Sequence, residues 1–292
     1  HDGLPCGRVS EVSGPEGSGK TLIALSAARE CITLGGQVWY FDVEHGLEED
    51  WVVKNGITPN TPQFRVEEPF YIEDALNAVE LVVLERKGAD TPTLIVYDTI
   101  AGGVAKCDAM EVRGMAAHQV VGKRATLFTD FFKRETMGYL RNSKIILLFL
   151  NHQKMSIPTG PIRFPRPTTP GGMGPKFAAA VRIRIESDGS IKSGADGPKI
   201  GQFAECKIIK NKVDRPGRTC SFPIFWNGGP DADMGLIYYL TSQGVLADTG
   251  GWITWDDKRW RKNGLRDNMR ADPELRGRIV QAAQTAYRKE WS

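Results

Sequence analysis

The stretch Gly14-Pro15-Glu16-Gly17-Ser18-Gly19-Lys20-Thr21 satisfies the pattern G-x-x-x-x-G-K-[ST] at every fixed position. A loop that wraps a phosphate must bring bare backbone N–H groups against it, so glycine stands wherever a side chain would intrude. Lys20 is then placed for the β- and γ-phosphates and Thr21 for a Mg²⁺ ion, and the helix opening at Thr21 points its positive end at the anion. The flanks supply the setting that the pattern needs. Arg8 to Ser13 alternates as a strand does, and Leu22, Ile23, Leu25, Ala28 and Ile32 mark a helical face that stops at Gly35-Gly36. Strand, glycine loop and helix in that order predict an α/β fold with a mostly parallel central sheet.

Length allows one large core and a small second domain, because the chain has 292 residues. A hydrophobic fraction of 41% with 25% charged residues is that of an ordinary globular protein. The net charge of +3 does not by itself identify a nucleic-acid binder, so any polyanion site must come from local clustering. The longest plain apolar run, Ile145 to Leu150, is far short of a membrane span. Five cysteines in no CxxC pair argue for thiols in a reducing, cytoplasmic compartment and against zinc or a disulfide frame. No charged-then-apolar leader opens the sequence, which starts at His1 without an initiator methionine and reads as part of a longer, non-secreted chain.

Taken in order, Gln37 to Asp42 is a second strand ending in an acid and running into Val43-Glu44. Acids at strand ends face the crevice where nucleotides bind in such sheets, which places Glu44 about one strand from the phosphate loop, able to polarise an attacking water. Glu73 to Lys87 reads as a helix. Leu94 to Tyr97 is an apolar run closing on Asp98, the Walker B shape, in which Asp98 holds magnesium through water and Thr99 points into the same cavity. Asn151-His152 ends the buried strand Ile145 to Leu150.

Two segments carry no core periodicity. Ala101 to Gly122 is rich in small residues and holds Arg113; beyond it Lys123 and Arg124 open a helical stretch whose basic residues either solvate a face or meet a polyanion. Gln153 to Pro175 holds six prolines, the pair Gly171-Gly172, and Lys154, Arg163 and Arg166 with Phe164 between the arginines. Cations interleaved with an aromatic ring, on a structureless segment barred from helix by proline, suit a loop that tracks a single-stranded phosphate backbone. Three more strands, Val181 to Ile185, Phe203 to Ile209 and Cys220 to Phe225, read as an antiparallel edge added to the sheet. Lys210-Asn211-Lys212 is either solvated charge or, in a self-assembling ATPase, a group that reaches the neighbour's γ-phosphate. The boundary falls after Asn227. Residues 1–227 form the core, and residues 228–292 form a small C-terminal α/β domain, locally basic and suited to a duplex DNA contact.

With these residues in place, the sequence resembles the RecA-type recombinases, and is most similar to their UvsX-like phage branch. The motifs that carry the resemblance are Gly3-Leu4-Pro5 with Gly7-Arg8, the phosphate loop, Phe41 to His45, Leu94 to Thr99, Asn151-His152, Thr169 to Gly172 with Lys176-Phe177, and Lys207 to Lys212. The resemblance implies a RecA-like P-loop ATPase core with ATP and Mg²⁺ bound between protomers. It implies Glu44 as the catalytic carboxylate, Asp98 as the Walker B acid, Trp51 as the ring on adenine, and Lys210 and Lys212 acting across the interface. His152 stands where bacterial members carry Gln, at the position that senses the γ-phosphate; the phage branch has His there. Residues 109–121 correspond to the first DNA-binding loop and residues 154–175 to the second. The family's N-terminal helix and strand, which dock on the next protomer, have no counterpart upstream of His1. The function implied is an ATP-dependent recombinase that coats single-stranded DNA in a self-assembled filament or ring, pairs it with a duplex and exchanges strands. A hexameric helicase of the DnaB kind and a non-catalytic recombination mediator share the core and stand as alternatives.

Overall fold

The computed structural model describes residues 3–107, 120–155, 167–193, 196–226 and 228–290. These divide into two compact units, the first taking in His1–Glu186 and Lys207–Arg218 and the second Ser187–Cys206 and Thr219–Ser292. The second unit thus takes more than the tail that follows Asn227, because β-strands from before that point pack with it.

In the first unit the chain runs β1 (Arg8–Gly14), α1 (Lys20–Thr33), β2 (Gln37–Asp42), α2 (Glu49–Lys54), β3 (Phe64–Glu67), α3 (Ile72–Arg86) and β4 (Thr93–Asp98). It continues through α4 (Val120–Lys133), α5 (Thr136–Tyr139), β5 (Ile145–His152), the short β6 (Lys154–Met155) and β7 (Pro167–Thr168), α6 (Gly174–Ala178) and β8 (Val181–Lys192). The central strands lie in the order β8-β1-β5-β4-β2-β3 and all their pairings are parallel. The middle strands are buried on both sides, and β4 and β5 read as nearly continuous apolar runs.

The core packs Trp39, Phe41, Ile95, Tyr97 and Phe149 of the sheet against Leu76, Val79 and Val83 of α3 and Phe128 and Phe131 of α4. Edge-to-face contacts organise it. Tyr97 meets Phe128 at 5.6 Å between ring centroids, and Phe128 meets Phe149 at 6.2 Å.

One expectation needs correcting. The strand expected to open an antiparallel edge, Val181 to Ile185, instead pairs with β1 in parallel, Glu11 facing Arg182. The segment after β5 carries the chain back across the sheet through α6 before β8 begins, and a parallel neighbour requires such a crossover. Antiparallel pairing starts only further out, with β9 (Lys199–Asn211) and β10 (Thr219–Phe225). Ile208 N–H donates to Arg218 O at 2.8 Å in the first unit, and Trp226 N–H donates to Ile200 O at 3.1 Å in the second, as one antiparallel register demands.

The second unit adds β11 (Gly229–Pro230), α7 (Ala232–Ser242), the meander β12 (Ala247–Thr249), β13 (Trp252–Trp255) and β14 (Lys258–Arg261), then α8 (Lys262–Ala271) and α9 (Pro273–Glu290). Met234, Ile237, Leu240, Ile253, Leu265 and Ile279 form its core, with Trp255 and Trp260 packed against it. Asp272 caps α9 by accepting from Glu274 N–H and Leu275 N–H at 2.9 and 3.1 Å. Trp252 lies beneath the guanidinium groups of Arg259 and Arg261, 5.2 and 4.3 Å from its ring. None of the five cysteines is joined in a disulfide, and the thiols of Cys206 and Cys220, opposite each other on β9 and β10, are hydrogen-bonded. Among the described residues no helix is long and apolar enough to cross a membrane.

Candidate functional site

The phosphate loop joins β1 to α1 at the C-terminal edge of the sheet. Its glycines have separate physical reasons. Gly17 and Gly19 adopt φ of +69° and +99°, a region that side chains disfavour. A Cβ on Gly14 would stand 2.3 Å from the carbonyl oxygen of Ile185 on the neighbouring strand. Pro15 and Glu16 are exposed at the turn, while Ser18 is buried and its hydroxyl donates to Pro15 O at 2.8 Å. Lys20 curls back over the loop, its ammonium donating to Gly14 O at 3.2 Å and Pro15 O at 2.8 Å. Burial lowers the pKa of this ammonium, against the opposing charges of Asp98, Glu44 and Glu16.

Thr21, in the first turn of α1, donates its hydroxyl to Asp98 Oδ2 at 3.2 Å. Tyr40, fully buried on β2, donates to the same oxygen at 2.5 Å. Asp98 is 7% exposed, and burial pushes its carboxyl up to about 6 although the Tyr40 hydrogen bond works in the other direction. The donor set fits magnesium. A hydroxyl and a carboxylate are hard oxygen ligands, and Mg²⁺ takes its remaining ligands from water and phosphate. Among the described residues no cluster of three or more His, Cys, Asp or Glu side chains is gathered.

Glu44 reaches this edge from farther away than its sequence position suggests. The order β1-β5-β4-β2 puts two strands, not one, between the end of β2 and the phosphate loop. The gap is closed by side chains. Glu44 Oε1 accepts from the Thr99 hydroxyl at 2.8 Å and lies 2.9 Å from His152 Nε2 at the end of β5. His152 in turn is level with Gly14 in the β1–β5 register, where Gln153 N–H donates to Gly14 O at 3.0 Å. The carboxylate, the histidine and the first residue of the phosphate loop are therefore one connected edge. Gly102 completes it, for a Cβ there would meet Glu44 Cγ at 2.7 Å.

The other site residues lie on separate elements. Trp51 is half-buried on α2. Lys123 and Arg124 are half-buried on α4, and Arg124 donates to Ala101 O and, at 2.8 Å, to Gly103 O, bracing the turn after Asp98. Lys154 is exposed on β6, which pairs with β7, so the segment after β5 rises on a two-stranded stem. That stem is a correction to the structureless loop that the prolines suggest; Pro167 takes part because a ribbon of two residues per strand needs few donors. Gly171 and Gly172 have φ of +89° and +72°, and Cβ atoms there would lie 2.6 Å from Ile100 and 2.8 Å from Ala125. They let the segment pack closely on the turn after Asp98 and on α4. The Lys210 ammonium donates to the carbonyl oxygens of Lys176 at 2.6 Å and Phe177 at 3.2 Å, and Lys212 to Phe177 O at 3.5 Å. Burial, with the charges of Lys212 and Arg182, lowers the Lys210 pKa. Arg113, Arg163, Phe164 and Arg166 lie outside the described residues.

Three functional neighbours are not among the sequence candidates. Tyr40 looks like one more apolar strand residue, and nothing in the sequence ties it to Asp98. Glu11 and Arg182 are charges at inner positions of β1 and β8, a signal that pairing of such residues on adjacent strands explains.

The RecA N-terminal domain family matches residues 1–231. The RecA protein of Wolinella succinogenes is 33% identical over 287 residues, covering 96% of this chain and 78% of the relative. That of Paenarthrobacter aurescens is 32% identical over 276 residues, covering 94% and 75%. That of Campylobacter jejuni is 32% identical over 289 residues, covering 97% and 80%. The crystal structure of the RadB recombinase shares the fold, with a TM-score of 0.50 at 18% identity over 77% of this chain and 91% of that one. A matching domain that runs from before the phosphate loop past the lysine pair, and relatives aligned over nearly the whole chain, establish that this protein belongs to the RecA family.

Proposed function

We propose that this protein coats single-stranded DNA, with ATP·Mg²⁺ held between protomers, pairs the strand with homologous duplex and exchanges strands. As a RecA-family recombinase it serves homologous recombination and DNA repair, and it hydrolyses ATP in response to DNA. The observation that carries the finer reading is the placement of Glu44 between Thr99 and His152 at the edge shared with the phosphate loop.

Each residue has a part in that reading. Backbone N–H groups of residues 14–19 and the Lys20 ammonium bind the phosphates. Thr21 and Asp98 hold the magnesium, which neutralises phosphate charge when bound. Glu44, kept in place by Thr99, orients and deprotonates the attacking water, and Trp51 stacks on the base. Lys210 and Lys212 turn toward the γ-phosphate of the adjacent protomer, exchanging the carbonyls of Lys176 and Phe177 for it. His152 reads the γ-phosphate through Glu44 and leads directly into the second loop, residues 154–175, which with residues 109–121 holds the strand. Arg113, Lys123, Arg124, Lys154, Arg163, Phe164, Arg166, Gly171 and Gly172 are the contacts to DNA. The C-terminal domain, residues 228–292, meets the duplex, and hydrolysis serves turnover of a filament or ring in the cytoplasm. Within the family the chain is nearest to the UvsX-like phage branch, on the ground of His152.

ATP turnover by the full-length protein, measured with and without single-stranded DNA, tests this. Stimulation by DNA is expected, and a rate indifferent to DNA refutes it.

A further inference from the structure

Glu11 is 1% exposed in the middle of β1, three residues before the phosphate loop, and no step so far uses it. A carboxylate in such a place needs full compensation, since removing one partner of a buried pair leaves an uncompensated charge in the core. Both neighbouring strands provide it. From β8, Arg182 stands directly opposite and donates its Nε–H to Glu11 Oε2. From β5, the buried Asn151 donates its amide to Glu11 Oε1 at 2.9 Å.

Neither donor stops there. The same Asn151 amide donates to Pro170 O at 3.1 Å, and Arg182 donates to the Thr169 hydroxyl at 3.4 Å. Two independent routes therefore run from one carboxylate to adjacent residues of the limb that leads into Gly171-Gly172. On its other side the network is continuous with the nucleotide edge: Asn151 precedes His152, which is level with Gly14 and 2.9 Å from Glu44. A cavity of about 140 Å³ lined by Thr168, Thr169, Lys176, Arg182 and Arg184 lies beside the limb and leaves it room to shift.

We propose that Glu11 is a positioning residue that couples nucleotide occupancy at the phosphate loop to the setting of the Thr169–Gly172 limb and so to single-stranded DNA affinity. Any displacement of the end of β5 relative to β1 must alter the Asn151–Glu11 bond, and the limb hangs from both of Glu11's donors. This rests on the reading of residues 154–175 as a DNA-binding loop.

The test uses the full-length chain, a fluorescent oligothymidylate and a slowly hydrolysed ATP analogue. The ratio of DNA dissociation constants without and with saturating analogue measures the coupling, which for linked sites is typically about 5- to 150-fold. In Glu11→Gln, which keeps the shape and removes the charge, the ratio is expected to fall to within about two-fold of unity. The reciprocal ratio, DNA's effect on nucleotide affinity, must fall by the same factor, because linkage is symmetric. Analogue affinity without DNA stays at the wild-type value, and Glu11→Asp retains most of the coupling. Were Glu11→Gln not to fold, as judged by circular dichroism, Glu11→Gln/Arg182→Gln removes the stranded guanidinium and is held to the same expectation. A coupled wild type with an equally coupled Glu11→Gln overturns the assignment alone. A wild-type ratio of one overturns the DNA-loop reading and this assignment with it.

Discussion

Asp98→Asn should stabilise the nucleotide-free protein, and only above a certain pH. Burial raises the Asp98 carboxyl from 3.8 to about 6. At about 1.4 kcal/mol for each pKa unit, keeping it ionised costs the fold on the order of 3 kcal/mol near pH 8. The sign follows from the raised value. The contribution is fully favourable below the unfolded-state pKa near 3.8 and is lost as pH climbs through about 6, so the wild type weakens over that window and the Asn variant does not. Asn keeps an oxygen for the Tyr40 and Thr21 hydroxyls but buries an amide donor, a penalty of roughly 1 to 3 kcal/mol that does not depend on pH. The decisive quantity is therefore the slope, not the offset. In thermal melts of both proteins from pH 4 to pH 8, the variant's melting temperature minus that of the wild type should rise by about 5 °C, taking roughly 2 °C per kcal/mol for a chain of this size. Magnesium with nucleotide should reverse the ranking by stabilising the wild type alone, by about 2.7 kcal/mol at a hundredfold excess over its dissociation constant. A difference that is flat from pH 4 to pH 8 would refute the claim that Asp98 pays for burial in the absence of a cation.

Three further outcomes follow from the same geometry. Glu44→Gln should bind nucleotide normally and lower kcat by roughly 10²- to 10⁴-fold, as loss of a general base does; single-turnover hydrolysis at the wild-type rate would discard Glu44 as the base. Gly102→Ala puts a methyl 2.7 Å from Glu44 Cγ and should lower kcat about tenfold or more with little change in KM, since displacing a positioned group by an ångström costs up to about a hundredfold; an unchanged kcat would show that Glu44 tolerates displacement. Changing Arg163 and Arg166 together to Ala should flatten the salt dependence of single-stranded DNA binding by roughly 1.4 in log–log slope, at about 0.7 per contact; an unaltered slope would remove both from the phosphate backbone.

The parallel sheet was legible because its determinants are local. Gly35-Gly36 ends α1, Gly88 follows α3, and the apolar runs of β4 and β5 are the signature of strands covered on both faces. What escaped is what local rules do not carry. Arg182 and Ile183 alternate with their neighbours as an antiparallel edge strand would, yet β8 is parallel to β1, because direction is set by the crossover after β5 and not by the strand's own residues. Distance along the sheet escaped for the same reason. Strand order decides that β5 and β4 stand between β1 and β2, and nothing within Asp42 to Glu44 records it.

The site divides along that line. Residues of the phosphate loop were readable because a backbone that must approach a phosphate restricts residue type in place, as Gly14 does with Ile185 O at 2.3 Å from its absent Cβ. Glu11 was not, since its meaning lies in Asn151 and Arg182, 140 and 171 residues away in the chain. Yet the constraint on Glu11 is no weaker. An acid that is 1% exposed survives in a strand only when both flanking strands present donors, and here each donor also holds one residue of the limb that follows β7. Apolar residues at positions 11, 151 and 182 would fill the same space without that cost. The fold therefore has no need of this charge for its core, whereas a link between the phosphate edge and Thr169-Pro170 does, because a hydrogen-bonded network has discrete alternative arrangements where packed methyl groups have one.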